Sequence, residues 1–354
     1  MNKTLNNTAA ASNLSNKKKI LRYDKLYFWI AVIVFVALYA ATEFMFSNGA
    51  GFPQSLINLF YDRLYLIVAA TGVAFVMISG GVDLSVVSTV ALVFILSATL
   101  INGETGQSKY AYLIPFKLNA AIVIPIMLLL GCIIGLINGL LIHYLKLKPV
   151  IVTLVTGLVI MGAANTIINY DTNKVNDDLF KKLIEAKINI TNDFEIPLSV
   201  IAVLILIAVS WLFLKNTRFG RTIYAIGKDE KSAKNMGLNV IKAKISVYVI
   251  SGGFAALAGL IYLMKNKVAM QYDYYSENFY IIAACIIGGI LLKGGYGNIF
   301  GPLIGILIQG TIYLLFIRDL GISSLWGLVS MAVITCLFII IQKTHRTRIK
   351  KINY

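Results

Sequence analysis

The chain is written as long apolar stretches separated by short polar ones. A hydrocarbon core of ~30 Å is crossed by about 20 apolar residues in a helix. Ten stretches approach that length: 27–46, 62–80, 84–101, 119–142, 149–169, 197–214, 244–264, 279–292, 298–317 and 323–342. The pattern predicts an all-α polytopic membrane protein with about ten transmembrane helices. The stretch 279–292 is short and the junction 80–84 is tight, so each reads as a broken or re-entrant segment, an interruption of the kind that marks substrate pathways. Residues 1–26, rich in Asn, Lys, Ser and Thr, read as a disordered tail, and 343–354 as a second, basic tail. One membrane domain fills 27–342. Its longest inner loop is 215–243 and its longest outer loop 170–196, so no soluble domain remains.

Composition agrees with this reading. The chain is 58% hydrophobic and 14% charged, with a mean hydropathy of +0.79, whereas soluble domains carry roughly 25% charged residues. An even number of spans puts both termini on one side. If that side is cytoplasmic, the N-terminal tail, 143–148, 215–244, Lys293 and the C-terminal tail hold 22 of the 32 Lys+Arg; with Asp83 they hold only 4 of the 16 acids. This asymmetry follows the positive-inside rule. It accounts for most of the formal net charge of +16 with membrane lipid as surroundings and no nucleic-acid partner. No cleavable signal peptide is evident. The three cysteines lie in apolar runs without a CxxC pair, which suggests neither a disulfide framework nor a zinc site. His143 and His345 sit in basic segments near helix ends and are read as non-catalytic.

Candidate chemistry concentrates in residues 79–90, Ser-Gly-Gly-Val-Asp-Leu-Ser-Val-Val-Ser-Thr-Val, between two apolar runs. An acid at the edge of hydrocarbon is costly without partners or water, so Asp83 is a functional residue by default. Gly80 and Gly81 let the backbone leave helical geometry there, which a membrane tolerates only against protein or a wet cavity. Asn138 and Asn165 lie inside apolar runs, and two readings stand for each: an interhelical hydrogen-bond fixer, or part of a polar path. No phosphate-cradling Gly-x-x-x-x-Gly-Lys-Ser/Thr, Gly-x-Ser-x-Gly, His-Glu-x-x-His or intramembrane His–Asp pair is present, so an enzyme lacks candidates. Inside the spans, Glu43 lies near an outer end and Asp62 with Arg63 at another end, thin support for an ion-coupled carrier. In the inner loop, residues 229–236 predict a short helix, with Asp229 at its N-terminus and Gly237 as a left-handed stop. Its apolar pair, Ala233 and Met236, either docks in a groove of another protein or belongs to a solvated basic loop. The crowded small residues, Gly131/Gly135/Gly139 and Gly252/Gly253/Gly259 among them, read as helix packing. Gly80-Gly81 and Gly294-Gly295 are locally alike, but both junctions face inward, so an inverted repeat does not pair them.

Four stretches together resemble the permease subunit of bacterial ABC sugar importers, of the ribose/xylose/arabinose/galactofuranose type. They are Ser79-Gly-Gly-Val-Asp-Leu-Ser85; Gly135-Leu-Ile-Asn-Gly-Leu-Leu141 with Leu147-Lys-Pro-Val-Ile-Val-Thr-Leu154; Thr217-Arg-Phe-Gly-Arg through Ala225-Ile-Gly227 to Met236-Gly237; and Ile287-Gly-Gly-Ile-Leu-Leu-Lys-Gly-Gly-Tyr-Gly297. Their order and spacing extend the resemblance over roughly 60–345. Tyr224-Ala-Ile-Gly, Met236-Gly, Ile308-Gln-Gly and Ser323-Ser-Leu-Trp draw it closest to galactofuranose-type permeases. The resemblance implies a multi-pass protein of the bacterial cytoplasmic (inner) membrane that carries a monosaccharide. It implies pairing with a second permease, identical or paralogous, with a cytoplasmic ABC ATPase and with an external sugar-binding protein. It implies that this chain binds no cofactor, ATP and Mg being used by the ATPase. Asp83, Ser85, Asn138 and Asn165 would then mark the translocation path. Arg218, Gly220, Ala225, Gly227, Asp229, Ala233 and Gly237 would lie in the ATPase-coupling loop, and Gly80, Gly81, Gly294 and Gly295 would act as hinges. The chain departs from the family pattern at Val87, where glycine is usual, at Lys293, where serine is common, and in 277–283, where the acidic position is shifted or lost. A nucleoside importer permease shares these motifs. An ion-coupled secondary carrier and a cargo-free scaffold are the remaining readings.

Overall fold

A computed structural model describes residues 26–44, 52–102, 117–167, 173–175, 177–191, 194–269, 275–316, 326–327, 329–330 and 332–341. The two predicted tails, Leu26 apart, lie outside these residues. The helices among them are α1 (Leu26–Phe44), α2 (Phe52–Asp62), α3 (Leu64–Ile78), α4 (Val86–Asn102), α5 (Ala120–Tyr144), α6 (Pro149–Ile167), α7 (Asp178–Glu185), α8 (Leu198–Asn216), α9 (Arg218–Lys228), α10 (Glu230–Asn235), α11 (Val240–Asn266), α12 (Tyr275–Ile287), α13 (Phe300–Leu314) and α14 (Ala332–Ile341). Each of the predicted apolar stretches falls on one of them. Helices α1, α5, α6, α8 and α11 are long and apolar enough to cross a membrane alone, and α2 with α3 qualifies as a pair bent by 64°. Helices α4, α12, α13 and α14 are apolar but shorter.

The stretch expected to begin at residue 62 is therefore the second half of a bent unit. The bend falls at Arg63, and its charges are partnered rather than left in hydrocarbon. The Arg63 guanidinium lies 4.5 Å from the Tyr313 ring centroid, and Asp62 pairs with Lys265 at 2.8 Å. Beyond the bend, α3 is apolar on every side and buried at all positions but Tyr65, as a helix without a polar face must be when neighbours surround it. Helix α11 is the other central element and packs against α5, α3 and α4. Its contact with α5 is a backbone-to-backbone approach: a Cβ on Gly135 would overlap the Tyr248 carbonyl, and one on Gly252 would overlap that of Gly131. The glycine rows serve the close packing that small residues allow in membranes. Helices α5, α6 and α8 turn Leu129, Val155, Val159, Ile205 and Val209 outward, an apolar exterior suited to lipid.

The charged loop 170–196 is more structured than expected. Strand β1 (Asn173–Lys174) pairs antiparallel with β4 (Val268–Ala269), and β2 (Lys187–Thr191) pairs with β3 (Phe194–Pro197). Between them, Asp177 caps α7 by accepting from the Leu179 and Phe180 amides at 2.9 and 3.2 Å. Helix α7 buries Phe180 and Ile184 and packs against α8, α11 and α5. These elements are too short for hydrophobic periodicity to register.

Candidate functional site

Helix α3 stops at a polar turn. The Ser79 hydroxyl donates to the Val76 carbonyl at 2.7 Å, and Gly80 takes φ +86°, open to glycine at little cost. The chain stays non-helical until α4 begins at Val86, and Asp83 sits in this break at 2% exposure. One carboxylate oxygen accepts from the Ser85 amide at 3.0 Å and the Ser85 hydroxyl at 2.6 Å; the other accepts from the Ser251 hydroxyl of α11 at 2.8 Å. The Ser85 hydroxyl in turn accepts from the Asn138 side-chain amide of α5 at 2.8 Å, and Asn138 accepts from Thr156 of α6 at 2.7 Å. The amide of Asn138 can only donate, so the Ser85 hydrogen is free to point at Asp83. The chain of donors runs Thr156, Asn138, Ser85, Asp83, and Asp83 is its terminal acceptor.

Two more bonds hold the break. The Leu84 amide donates to Thr153 of α6 at 3.1 Å, and the Val87 amide donates to Asn278 of α12 at 3.4 Å. Irregular backbone is thus satisfied by neighbouring helices, the condition under which a membrane accepts it. Ser251, Thr153, Thr156 and Asn278 are not singled out in the sequence; the first three are polar side chains inside apolar runs, as Asn138 is, whereas Asn278 follows Ser276 and Glu277 at the edge of one. Asn165 stands apart. It lies nine residues beyond Thr156 on α6, roughly 14 Å along the axis, and its buried carbonyl oxygen has no partner among the described residues. Val87 occupies the first turn of α4, buried and helical, a position with no need of glycine.

The loop 215–243 is largely two helices. Thr217 caps α9 by accepting from the Gly220 amide at 3.1 Å, and α9 buries Gly220, Ile223 and Ile226 while Arg218 is exposed. Asp229 caps α10 by accepting from the Ser232 amide at 3.0 Å, and Gly237 follows at φ +76°. Backbone hydrogen bonding at this cap holds the Asp229 carboxyl below its ordinary value. The predicted helix exists, but its apolar pair is split. Ala233 is fully buried against Ile226, Val240 and Ala243, and only Met236 faces outward, at 66% exposure. Ala233 is therefore a packing residue of the loop, not half of an exposed docking pair.

The two glycine junctions, locally alike in the sequence but not paired by an inverted repeat, meet. Gly294 and Gly295 both take φ +78°, and the Gly295 amide donates to the Ile78 carbonyl at 2.7 Å. Gly294 packs on the Gly80 backbone. Gly227, at the end of α9, closes the knot: a Cβ there would overlap both the Ile78 carbonyl and the Gly295 amide. Around it, the Tyr224 hydroxyl donates to the Gly297 carbonyl at 2.8 Å, and the Lys228 ammonium lies 4.8 Å from the Tyr296 ring centroid; Ala225 is half-buried against the cluster of Ile226 and Ala233. Helix α12 ends at Ile287, and Gly289 at φ +90° turns the chain, so the stretch 279–292 is a short helix followed by loop.

A polytopic helical bundle whose buried, non-helical break is tied to a helical loop defines a membrane-embedded transport subunit. The chain belongs to the family described as "Branched-chain amino acid transport system / permease component", which matches residues 55–341. It is 31% identical to the ribose import permease protein RbsC of Haemophilus influenzae, over 86% of this chain and 89% of that one. It is 30% identical to the fructose import permease protein FruG of Bifidobacterium longum, over 95% and 96%. It is 29% identical to the inner membrane ABC transporter permease protein YjfF of Escherichia coli, over 92% and 93%. No solved structure matches the chain significantly.

Proposed function

We propose that the chain is the membrane-spanning permease of an ATP-driven importer that moves a monosaccharide across the bacterial inner membrane. The observation that carries the reading is the knot. The end of α9 rests directly on the Ile78 carbonyl and the Gly295 amide, five residues from Asp83. A push on α9 by an ATPase is delivered to the break without passing through a flexible linker. The break has two kinds of support: soft glycine turns at 80 and 294–295, and a hydrogen-bonded ladder through Asp83, Ser85, Asn138 and Thr156. Moving α9 shifts the turns and forces the ladder to re-pair, a bistable element of the kind that alternates between outward- and inward-facing packings.

The names of the fructose import permease FruG and the ribose import permease RbsC favour a monosaccharide over the amino acids in the family description. Ten crossings with both termini cytoplasmic agree with the charge asymmetry and with an apolar helix at every predicted stretch. Partners follow from the same reading: a cytoplasmic ABC ATPase, a second permease and an external binding protein, with ATP and Mg bound only by the ATPase. Mild-detergent purification of the tagged chain with mass spectrometry of its companions tests this. Recovery of an ABC ATPase and a second permease, with sugar uptake in proteoliposomes that needs ATP, is expected. Uptake by the chain alone, without ATP, overturns it in favour of a secondary carrier. Uptake of nucleosides or amino acids in place of sugars overturns the substrate class.

A further inference from the structure

The β2–β3 hairpin is apolar on one face and charged on the other. Directly opposite residues of an antiparallel ladder share a face, and so do residues two apart along a strand. Ile188 pairs with Ile196, and Asn189 with Glu195. Lys187 falls on the second of these faces by alternation, and its ammonium meets the Glu195 carboxylate at 2.7 Å. The first face continues past the strands. The Leu198 amide donates to the Ala186 carbonyl at 2.8 Å, which adds a rung to the ladder and sets Leu198 beside Ile196. Ile188 is 47% exposed, Ile190 57% and Leu198 46%. Water suits such a face poorly: a two-stranded hairpin is marginal there by itself, and contiguous exposed apolar surface marks a contact. What covers it follows from the next residues. β3 ends at Pro197 and α8 begins at Leu198, with no linker between them. Leu198, Ile205, Val209 and Leu212 are spaced to share one side of that helix, and all four are exposed. The apolar face of the hairpin is thus the head of a lipid-facing row, not an isolated patch.

We infer that the hairpin lies in the lipid interface of the membrane, with Ile188, Ile190, Ile196 and Leu198 turned into the acyl-chain boundary and the Lys187–Glu195 pair on the water side. Amphipathic helices at such interfaces bury their apolar face roughly 5–10 Å into the headgroup and acyl region. A hairpin fused to the end of α8 reaches that depth without leaving the helix. It is tied to α2 as well, since the Glu195 amide donates to the Gln54 side-chain oxygen at 2.9 Å. Lipid contact at the hairpin therefore holds the first half of the bent α2–α3 unit at the level of the interface. Part of the loop 170–196 then belongs to the bilayer and is closed to a soluble partner. The leaflet is the outer one by the orientation proposed above, but immersion itself depends neither on that orientation nor on sugar import.

The test attaches the dye NBD at Ile188→Cys or at Asn189→Cys, in the full chain with Cys132, Cys285 and Cys336 changed to alanine. The protein is held one copy to a phosphatidylcholine nanodisc. Emission from position 188 is expected to be blue-shifted, and to be quenched severalfold more than emission from 189 by lipid spin-labelled near the top of its acyl chain. Iodide in the water should give the opposite order. Iodide quenching that is equal at the two positions leaves the face in water and overturns the proposal. Access of iodide to 188 in discs with one copy, lost in discs with two, assigns the face to a second copy of the chain and overturns it equally. If the cysteine-free chain does not fold, Ile188→Trp reads the same contact with the cysteines in place. The emission it adds to that of the three native tryptophans should be quenched by lipid brominated on its acyl chains; quenching by iodide instead overturns the proposal.

Discussion

Replacing Asp83 by alanine strands three buried donors: the Ser85 amide, the Ser85 hydroxyl and the Ser251 hydroxyl. A buried donor without a partner costs about 1–3 kcal/mol. Ser251 can turn its hydrogen to a carbonyl one helical turn back, so the fixed cost falls on Ser85 and comes to ~2–5 kcal/mol. Asp83→Asn keeps an acceptor for Ser85 and presents an amide to Ser251, whose oxygen can accept it. What it loses is the charge assistance, ~1–2 kcal/mol. The order D83A worse than D83N, by roughly 2 kcal/mol, is the prediction. The assay is SDS titration in mixed micelles, with Ser251→Ala and the D83A/S251A pair completing a double-mutant cycle. The pair is expected to cost less than the sum of its parts by ~1 kcal/mol. Equal losses in D83A and D83N, with additive behaviour against S251A, would refute the network account. In cells, D83N is expected to lower uptake more than it lowers the amount of protein in the membrane.

Three further outcomes follow from the inner loop. Gly227→Ala is expected to cost about 1–3 kcal/mol and to abolish ATP-dependent uptake, because even a methyl group meets the Ile78 carbonyl and displaces the Gly295 amide; near-normal uptake in reconstituted complex would contradict the knot. Ala233→Leu overfills the packing with Ile226 and Val240, so co-purified ATPase should fall severalfold, while Met236→Ala, at an exposed position, should leave the fold unchanged by circular dichroism. Asp229 is held below its ordinary value near 3.8 by the cap of α10. A depressed carboxyl stabilises above that value and loses its contribution as pH falls through the lower folded one. Hydrogen exchange at Ser232 and Ala233 should therefore quicken below about pH 4 relative to the intrinsic rate, and Asp229→Asn, a cap that does not titrate, should remove the effect.

Apolar stretch length was enough to locate the apolar helices, of which, among the described residues, five are long enough to cross a membrane alone and one more as a bent pair. The Asp83 turn was legible because an acid and paired glycines interrupt two such stretches. What hydropathy does not encode is which polar residues converge. Asn138 could be flagged but not joined to Ser85, and Ser251, 168 residues from Asp83, is marked only as one small polar residue in an apolar run. The bend at Arg63 was hidden because α2 is only half-apolar, and α9 because its charged residues read as a solvated loop. Ala233 and Met236 share a helical spacing that suggests one face; tertiary packing turned the first inward. The two glycine pairs looked like a failed repeat because only three-dimensional proximity gives them a common purpose.

The long reach between Asp83 and Ser251 also sets an order of events during synthesis. Translation at ~5–20 residues per second separates the two by ~10–30 s. For that interval α3 and α4 are already at the membrane with a carboxylate that lacks its α11 donor and a Gly80 turn that lacks its lid of Gly227 and Gly294. The newborn chain therefore carries its most polar feature through the bilayer half-satisfied. A nascent chain truncated before α11 exposes that feature permanently, as a mark by which membrane quality control can tell an unfinished subunit from a finished one.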